Sequence, residues 1–444
     1  FKMFFHTHLQ ALSVSAFLIS RGFKPGDRAT TMLPNCIQLP VIHLGVWAAG
    51  GVFVGSSPAY KHYDAVYQLQ DSGSSVVFTN EALLPAVLKA VEECEEVKTV
   101  VCIRSTSAPL NDVIDFNDVI SAPKLEKVIE VSMDAPCVVL YSSGTTGLPK
   151  GVVHTHGTYH SNIEILRSHF QKEIYPVIGV NQVDWLQEHQ IVATPAFHML
   201  GFGLLNWWLL TGSAIIFLER LDEELYPKIL SQFKPRYIFV TPPIFAFLTK
   251  HPLGVSASLE SVQLVLSSAG PLSKEVSDMF FTHHPSVKYI VQGYGMTETG
   301  YSHLPILLQE GATASSGVIV SNNSQKIMIP GTNQSCEFGE WGEVCVKGPG
   351  VTVGYLNKPE ATKFLFDEDG WLHTGDIGYL DDFGCLCIVD RVKEQIMVNY
   401  MHQSMRVSPA ELEGILLSNC KIQDVAVIGV PYEDVREYRF FFSF

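Results

Sequence analysis

The stretch YSSGTTGLPKGVVHTH, residues 141–156, decides how the rest of this 444-residue chain is interpreted. The ten residues that follow Tyr141 hold two serines, two threonines, three glycines and Lys150. Glycines let backbone amides approach an anion, hydroxyls add hydrogen-bond donors, and the lysine supplies a positive charge. The stretch therefore predicts a phosphate-binding loop, made of Ser142, Ser143, Gly144, Thr145, Thr146 and Gly147.

Two other interpretations of this loop are open. A P-loop needs lysine directly after glycine and then a helix, whereas here Pro149 precedes Lys150 and Val152 and Val153 continue as a strand. A surface turn also uses serine, threonine and glycine, but it needs neither Lys150 nor paired threonines. A clamp between two strands, the first over residues 136–140, is the better description.

Outside the loop, apolar β-branched runs alternate with helical stretches. The predicted strands are residues 76–79, 99–103, 237–241 and 289–292, and the predicted helices are 80–97, 225–233 and 272–283. This alternation predicts an α/β fold with a large N-terminal domain of helix-covered parallel sheets. Ligands of such folds bind at the carboxyl ends of the strands, where the glycine-rich stretches lie.

The last quarter of the chain has a different pattern. From about Gly339, closely spaced glycine turns indicate a small antiparallel β unit. A new segment begins near Asp390, with a helix predicted over residues 409–417 and a strand over 425–430. One helix and one strand cannot bury a core, so this end is predicted to be an incomplete α+β C-terminal domain. The predicted domain limits are 1–389 and 390–444.

Composition and charge exclude several classes of protein. The 30 Lys and Arg against 45 Asp and Glu give a formal charge of −15, and no basic stripe offsets it, which argues against a nucleic-acid partner. The nine cysteines are scattered, which favours a reducing compartment. Residues 201–218 form a run of 18 uncharged residues, but the turn at 211–213 predicts a helix followed by a strand. No transmembrane segment is predicted.

The loop SSGTTGLPKG resembles the signature loop of the acyl-adenylate-forming superfamily, which includes acyl-CoA synthetases, 4-coumarate:CoA ligases and beetle luciferases. Six further stretches match the family pattern in order: PAFH at 195–198, SAGPL at 268–272, GYGMTE at 293–298, GYLN at 354–357, GWLHTGD at 370–376 and DRVKE at 390–394. Seven motifs in sequence order are far more specific than any one of them. The resemblance implies a large AMP-binding (adenylation) domain over 1–389 and a partial lid domain over 390–444, with the chain truncated at both ends.

The resemblance also implies a reaction. A carboxylate attacks the α-phosphate of ATP to give an acyl-AMP and pyrophosphate, and the thiol of CoA then displaces AMP. The loop and Lys150 are expected to hold the β- and γ-phosphates, and Glu298 to hold Mg²⁺, which stabilises charge in the displacement. Thr297 is expected to donate a hydrogen bond to the α-phosphate. ATP, Mg²⁺ and CoA are therefore the implied cofactors and co-substrates.

The same resemblance assigns the nucleoside site. Tyr294 offers a flat face for adenine, with Ala269 and Gly270 on the other side of the ring. Asp376 is expected to accept the two ribose hydroxyls, and Arg391 to donate to the same sugar. The predicted nucleotide site is completed by Gly293, Gly295, Met296 and Lys393, of which Lys393 also lies at the family's domain hinge.

The acid site is implied by His198, which the family places between the carboxylate and the α-phosphate. Candidate pocket residues come from 199–208 and 299–304, which are rich in leucine, tryptophan, glycine and tyrosine. This lining favours a fatty or aryl carboxylic acid over an amino acid. The small-molecule acid, ATP and CoA are thus the expected partners.

Two departures from the family pattern affect the expected activity. The chain reaches Phe444 before the lysine that the family's lid brings to the acyl and phosphate oxygens. Residues 396–407 carry four extra residues and lack the family's lysines and glycine, so a longer loop is expected to impair thioester formation. A catalytically impaired nucleotide- or acyl-binding remnant, a luciferase-like monooxygenase and, less favoured, a P-loop NTPase remain alternatives. The expected location is cytoplasmic or peroxisomal, with no address signal visible.

Overall fold

The computed structural model describes residues 4–105, 112–142, 148–180, 188–270, 272, 274–307, 311–312, 315–332, 334–391, 396–400, 403–407, 409, 412–413, 416, 422, 425–431 and 438–443. Strands and helices alternate in the first two thirds of the chain, and strands dominate the last third.

The elements are numbered in chain order. The strands are β1 (Arg28–Met32), β2 (Val52–Ser56), β3 (Val76–Asn80), β4 (Thr99–Ile103), β5 (Val113–Asp115), β6 (Pro136–Ser142), β7 (Lys150–Thr155), β8 (His189–Val192), β9 (Ala214–Phe217), β10 (Tyr237–Val240), β11 (Leu264–Ser267), β12 (Tyr289–Gln292), β13 (Tyr294–Met296), β14 (Gly300–Leu304), β15 (Gly311–Ala312), β16 (Val318–Ile319), β17 (Ser324–Met328), β18 (Gly342–Lys347), β19 (Gly354–Tyr355), β20 (Leu372–Leu380), β21 (Leu386–Arg391), β22 (Ile396–Tyr400), β23 (Gln403–Val407), β24 (Ala426–Pro431) and β25 (Tyr438–Ser443). The helices are α1 (Phe4–Ser20), α2 (Leu39–Ala48), α3 (His62–Ser72), α4 (Leu84–Val91), α5 (Phe116–Ser121), α6 (His156–His169), α7 (Met199–Thr211), α8 (Leu225–Phe233), α9 (Pro242–Lys250), α10 (Pro252–Val255), α11 (Lys274–His283) and α12 (Pro359–Lys363), and a π-helical turn, Phe170–Ile174, extends α6.

The largest sheet has eight strands in the order β19-β7-β6-β2-β1-β3-β4-β5. The strands from β6 to β5 are parallel to their neighbours, whereas β6 with β7 and β7 with β19 are antiparallel. In β6, five successive residues are buried, as expected for a strand covered on both faces. The glycine-rich loop joins β6 to β7, so its two ends are fixed by adjacent strands.

A second parallel sheet has the order β10-β11-β12-β15, and β8 and β9 form a separate parallel pair. Helices α8, α9 and α11 connect these strands, as the alternation in the sequence predicts. The carboxyl ends of β8, β10 and β11 lead directly to Thr194, Thr241 and Ser268, which line one cavity. The carboxyl ends of these strands therefore bring together residues that are far apart in sequence.

The remaining sheets are antiparallel. One has the order β13-β14-β16 and another β17-β18-β20-β21. The second of these is the small β unit expected from the turns, but it begins at Ser324 rather than near Gly339. The fold class predicted from the sequence, parallel sheets covered by helices plus a small antiparallel unit, is confirmed.

The C-terminal segment corrects one expectation. Where a long loop was expected, β22 and β23 pair as antiparallel strands, with five residues on each side in register. A second antiparallel pair joins β24 with β25. Of the helix predicted over 409–417, only residues 409, 412, 413 and 416 are among those described, and they are helical. Strand β21 continues through the predicted boundary at 389/390, which stays a prediction.

Several predicted elements are confirmed and some are shorter. The helix over 225–233 and the strand over 289–292 match their predicted bounds. The helix predicted over 80–97 is confined to α4, and that over 272–283 begins at Lys274. The uncharged run 201–218 forms most of α7, a turn and β9. None of the helices in the described ranges has the length and apolarity needed to cross a membrane.

The main core surrounds α7. Phe202 stacks on Phe53 of β2 with ring centroids 4.9 Å apart, and Trp207 packs against Phe170 at 4.6 Å. Gly201 is required near the start of α7, since a Cβ there would overlap the carbonyl oxygen of Pro195. This close contact fixes the turn that carries His198.

Candidate active site

The glycine-rich loop begins and ends on a fixed base. Ser142 of β6 and Lys150 of β7 are directly paired across the antiparallel strands. The Nζ atom of Lys150 lies 5.0 Å from the centre of the Tyr355 ring. Tyr67 donates its hydroxyl to the carbonyl of Pro149 at 2.9 Å, which holds the residue before the lysine. The other predicted phosphate ligands, Ser143, Gly144, Thr145, Thr146 and Gly147, lie outside the described residues.

Glu298 is a buried carboxylate next to this base, with 3 % of its surface exposed. Ser142 donates its hydroxyl to Oε1 at 3.2 Å, and Tyr355 donates to the same oxygen at 2.8 Å. In the part of the chain that the structure describes, no lysine, arginine or histidine pairs with this carboxylate. Burial and the charge of Glu298 raise the pKa of the Tyr355 hydroxyl far above its ordinary value, so it stays a donor. Glu298 is thus held by neutral groups.

Thr297 is held through its backbone. His154 lies on β7, and its Nε2 is 2.8 Å from the carbonyl oxygen of Thr297. A carbonyl only accepts, so Nε2 carries the hydrogen. Complete burial lowers the pKa of His154 to about 4, and the ring is therefore neutral near pH 7. Thr297 also lines the cavity described below.

Tyr294, Asp376 and Arg391 form a second cluster. Tyr294 donates its hydroxyl to Oδ2 of Asp376 at 2.6 Å, and Nε of Arg391 lies 3.1 Å from Oδ1. Asp376 and Arg391 are direct partners on β20 and β21, which explains their contact. Burial, followed by the charge of Asp376, raises the pKa of Tyr294. Three predicted nucleoside residues are therefore in contact, whereas Lys393 lies outside the described residues.

The backbone between these clusters is tightly built. Gly295 cannot carry a side chain, because a Cβ would overlap the carbonyl oxygen of Gly300. Ala269 has φ of 71°, a left-handed conformation that costs a non-glycine residue about 1 kcal/mol. Gly270 packs against Pro242, and Gly293 packs against Tyr301. Gly295, Met296 and Ala269 line the cavity described next.

A cavity of about 280 Å³ lies beside Thr297. Both predicted pocket stretches contribute to it, through Met199, Leu200, Gly201, Gly203, Gly300 and Tyr301. His198 also lines it, and enclosure by the surrounding protein lowers the pKa of its imidazole although the side chain reaches solvent. The described lining contains no aspartate, glutamate, lysine or arginine, so the cavity suits an apolar molecule.

Asn35 is a supporting residue that the sequence did not indicate. Its Nδ2 donates to the carbonyls of Thr194 and Leu218, both at 3.0 Å, and its Oδ1 accepts from the amide of Ala196 at 2.8 Å. This side chain fixes the turn from β8 to α7 and hence the backbone before His198. Nothing in the sequence around position 35 signals a contact 160 residues away.

Three further residues contact the site, and the sequence assigned a role to none of them: Tyr355, His154 and Asp71. Tyr355 belongs to the GYLN motif and His154 to the opening stretch, so both were visible as motif members without a role. Asp71 accepts from the hydroxyl of Tyr141 at 2.8 Å and pairs with Lys358 at 3.1 Å. It thereby ties the β6 strand to the segment after β19. Asp71 lies outside the seven motifs, so no motif indicated its role.

Comparison with known proteins gives the family. The model of the AMP-binding enzyme family matches residues 4–356. The chain is 32 % identical to 4-coumarate–CoA ligase 3 of Oryza sativa subsp. japonica, over 94 % of this chain and 73 % of the relative. It is 33 % identical to 4-coumarate-CoA ligase 2 of Narcissus pseudonarcissus, over 96 % of this chain and 75 % of the relative.

The fold agrees with solved structures. ATP-bound MatB from Rhodopseudomonas palustris superposes with a TM-score of 0.84 at 24 % identity, over 97 % of this chain and 81 % of that one. At this identity the likeness concerns the fold, whereas the family model and the plant relatives carry the assignment. The chain belongs to the AMP-binding enzyme family, the acyl-adenylate-forming enzymes, and within it to the AMP-forming acid–CoA ligases.

Proposed function

We propose that this chain activates a hydrophobic carboxylic acid, fatty or aryl, with ATP to give an acyl-AMP and pyrophosphate, and then transfers the acyl group to the thiol of CoA. The observation that carries the proposal is the hydrogen bond between Ser142 and Glu298. It joins the base of the glycine-rich loop to a carboxylate 156 positions away. A phosphate chain held by the loop then lies next to a buried acid suited to a divalent cation.

Asp376 and Arg391 are proposed to bind the ribose. One carboxylate oxygen of Asp376 faces the tyrosine hydroxyl and the other faces the guanidinium. A carboxylate accepts from two hydroxyls at once, and its charge is already balanced, so neutral ribose hydroxyls are suitable donors. Tyr294 orients this carboxylate and offers its ring to adenine, with Ala269 and Gly270 opposite. Gly293, Gly295 and Met296 supply backbone between them, and Lys393 is proposed to follow at the hinge.

The phosphates are proposed to bind at the loop and at Lys150. Phosphoryl-type displacement at the α-phosphate develops charge on oxygen, which fixed donors and a cation stabilise. Ser143, Gly144, Thr145, Thr146 and Gly147 are the proposed loop donors, and Ser142 is proposed to fix the start of the loop through its hydroxyl bond to Glu298. The cation–π contact of Lys150 with the Tyr355 ring restrains the ammonium group without neutralising its charge. Thr297 is proposed to donate its hydroxyl to the α-phosphate, while its backbone carbonyl is held by His154.

Glu298 fits a Mg²⁺ ligand. A buried carboxylate is costly unless a cation compensates its charge, and here its described partners are two hydroxyls. Hard oxygen ligands are what Mg²⁺ prefers, and it binds proteins through one or two carboxylates plus substrate phosphates. When bound, Mg²⁺ would neutralise charge on the phosphates. Ser142 and Tyr355 hold the carboxylate in position for it.

The acid is proposed to bind in the cavity beside His198. Because the described lining carries no aspartate or glutamate, a charged amino group on the acid would find no partner there. The two plant relatives named above are 4-coumarate–CoA ligases, which favours an aryl acid as the first substrate to test. Neutral His198 is proposed to donate a hydrogen bond to the substrate carboxylate.

Acid-dependent exchange of labelled pyrophosphate into ATP tests the proposal. We expect exchange with hydroxycinnamic or medium-chain fatty acids, and its loss in Lys150→Ala. Lys127→Ala is the matched control, because Lys127 is an exposed lysine whose described ion pair is with Glu130. Nucleotide binding without exchange for any acid would instead indicate a binding remnant. Product analysis with CoA then tests the thioester step, where the paired strands β22 and β23 replace the family's shorter strip.

A further inference from the structure

A second cluster of ligand-type side chains lies on the small antiparallel sheet, away from the cavity. Glu343 and Cys345 are two residues apart on β18, and His373 is the direct partner of Cys345 on β20. Residues two apart on one strand point to the same face of a sheet, and directly paired residues are neighbours on that face. The register of β18 with β20 shifts between Glu343 and Cys345, so a strand irregularity lies within the cluster. A carboxylate, a thiol and an imidazole are thus brought together by strand register.

The distances between their ligand atoms are short. Nδ1 of His373 lies 2.9 Å from Oε2 of Glu343 and 3.6 Å from Sγ of Cys345. All three atoms lie within 4.8 Å of one another. Tetrahedral zinc with ligand bonds of ~2.0–2.3 Å places neighbouring sulfur and nitrogen atoms roughly 3.6 Å apart. The sulfur–nitrogen edge already has this length, and the nitrogen–oxygen edge of 2.9 Å must open slightly.

The surroundings suit an imidazole ligand. Nε2 of His373 faces Oδ2 of Asp367 at 3.9 Å, and Lys326 pairs with the same oxygen at 2.9 Å and neutralises it. Metal-bound histidines commonly direct their second nitrogen at a carboxylate, which fixes the tautomer. The other oxygen of Glu343 accepts from the amide of Gly375 at 3.1 Å, which orients the carboxylate.

The three side chains differ in exposure, and as ligands two of them carry negative charge. Cys345 is fully buried and is a free thiol, while His373 and Glu343 retain 28 % and 15 % of their side-chain surface, which leaves a path for entry. Zinc binds cysteine as the thiolate, so binding displaces the proton of the Cys345 thiol. One thiolate and one carboxylate then carry two negative charges.

We propose that Glu343, Cys345 and His373 form a zinc-binding site, with water as the fourth ligand. Mixed sulfur, nitrogen and oxygen donors of this kind select zinc over magnesium or calcium. On binding, the thiol proton is released to solvent. The ring binds through the lone pair of Nδ1, and its hydrogen moves from Nδ1 to Nε2 by exchange with solvent, so that the N–H is directed toward Asp367. The three bonds join β18 to β20 three residues before Asp376.

The test uses the purified full chain, dialysed against chelator and then titrated with ZnCl₂ alone. We expect a single zinc ion per chain by elemental analysis after desalting. Cys345→Ser and His373→Gln should lose it, and Asp367→Asn should weaken zinc affinity about 10- to 100-fold. Cys387→Ser is the matched control, because Cys387 is a partly buried thiol of the same sheet that lies outside the cluster. This control should bind zinc like the parent chain.

Cobalt substitution guards against variants that fail to fold. The parent chain loaded with CoCl₂ should show the thiolate-to-cobalt charge-transfer band and the intense visible bands of a tetrahedral site. Absence of both the thiolate band and stoichiometric zinc in the folded parent chain would overturn the proposal and leave an ordinary Glu343–His373 ion pair beside a packed thiol. Equal zinc content in the parent chain and in Cys345→Ser would overturn it as well.

Discussion

Two buried carboxylates, Glu298 and Asp376, show how similar burial can serve different chemistry. Their exposures are 3 % and 6 %, and each accepts a hydrogen bond from a tyrosine, Tyr355 at 2.8 Å and Tyr294 at 2.6 Å. Asp376 also has Arg391 at 3.1 Å. Glu298 has no such cation within the described chain. One carboxylate is charge-balanced by the protein, and the other is not.

This difference indicates what each acid accepts. A balanced carboxylate offers its remaining lone pairs to neutral hydroxyls, such as those of ribose. An unbalanced buried carboxylate favours a cation, because ion pairing or metal coordination offsets its desolvation. The comparison therefore predicts that Glu298 acts through Mg²⁺ and the phosphates, whereas Asp376 acts through the sugar.

The largest effect is expected from Glu298→Gln. Glutamine keeps the acceptor oxygen for Ser142 and Tyr355 but loses the charge, so folding is preserved while the metal site is not. We expect pyrophosphate exchange to fall about 10²–10³-fold, as for removal of one electrostatic stabiliser. The measurement is exchange rate against Mg²⁺ concentration. Glu130→Gln, at an exposed glutamate paired with Lys127, is the control.

A smaller effect is expected from Asp376→Asn. Asparagine can still accept from Tyr294 but no longer pairs with Arg391 or accepts from two hydroxyls. Loss of a hydrogen bond to a charged group is worth about 1.5–3 kcal/mol, which corresponds to a KM for ATP raised roughly 10- to 100-fold. Steady-state kinetics with varied ATP measure it. An unchanged KM would contradict the assignment of this acid to the sugar.

A buried histidine supports the surroundings of each of the two acids. His154 supports the backbone next to Glu298, and His303 packs 5.7 Å from the ring of Tyr294. Burial lowers the pKa of both to about 4 from 6.5, so the unfolded chain binds protons that the folded chain does not. Stability is therefore full above pH 6.5 and falls as the pH drops toward 4. Each histidine contributes up to about 1.4 kcal/mol per pH unit in this window.

Unfolding midpoints measured between pH 7.5 and about pH 4.5 check this, the lower limit staying above the folded-state pKa values. His154→Gln and His303→Gln should each make the decline shallower, and His62→Gln should not, because His62 is a partly exposed histidine paired with Glu93. A parent chain whose stability is flat through this range would show that the two rings take up protons in the folded state.

The smallest effect is expected from Tyr355→Phe. The variant keeps the ring that Lys150 contacts and removes one of two hydroxyl donors to Glu298. We expect a loss of about 1 kcal/mol in unfolding free energy and a few-fold rise in the Mg²⁺ concentration needed for half-maximal exchange. Denaturant unfolding and the Mg²⁺ titration measure the two quantities. Tyr63→Phe, at an exposed tyrosine, is the control.

Sequence patterns predicted the regular elements where local signals agree with packing. The helix Leu225–Phe233 and the strand Tyr289–Gln292 have clear periodicity and clear ends. The helix predicted over 80–97 is longer than the one observed. Proline is tolerated in the first turn of a helix, and α4 begins at Leu84 with Pro85 in that turn and ends at Val91. The pairing of β22 with β23 was not predicted, because the four extra residues were interpreted as a longer loop.

The site was predictable only as far as the motifs carry it. The motifs indicated Tyr294, Asp376 and Arg391, and the structure brings these three into contact. Roles that depend on tertiary contacts were not visible: Asn35 acts across 161 positions, and Tyr355 binds a carboxylate 57 positions away. The cluster of Glu343, Cys345 and His373 was not visible either. It contains a single cysteine, and its members come together only when β18 pairs with β20.

The most direct test of the comparison is calorimetric binding of AMP and of ATP with Mg²⁺ to both acid variants. AMP has the sugar but lacks the β- and γ-phosphates. We predict that Glu298→Gln binds AMP like the parent chain and loses the gain in affinity that Mg²⁺ gives to ATP, whereas Asp376→Asn weakens both ligands equally. Weakened AMP binding in Glu298→Gln, or unchanged AMP binding in Asp376→Asn, would contradict the division of roles between the two carboxylates.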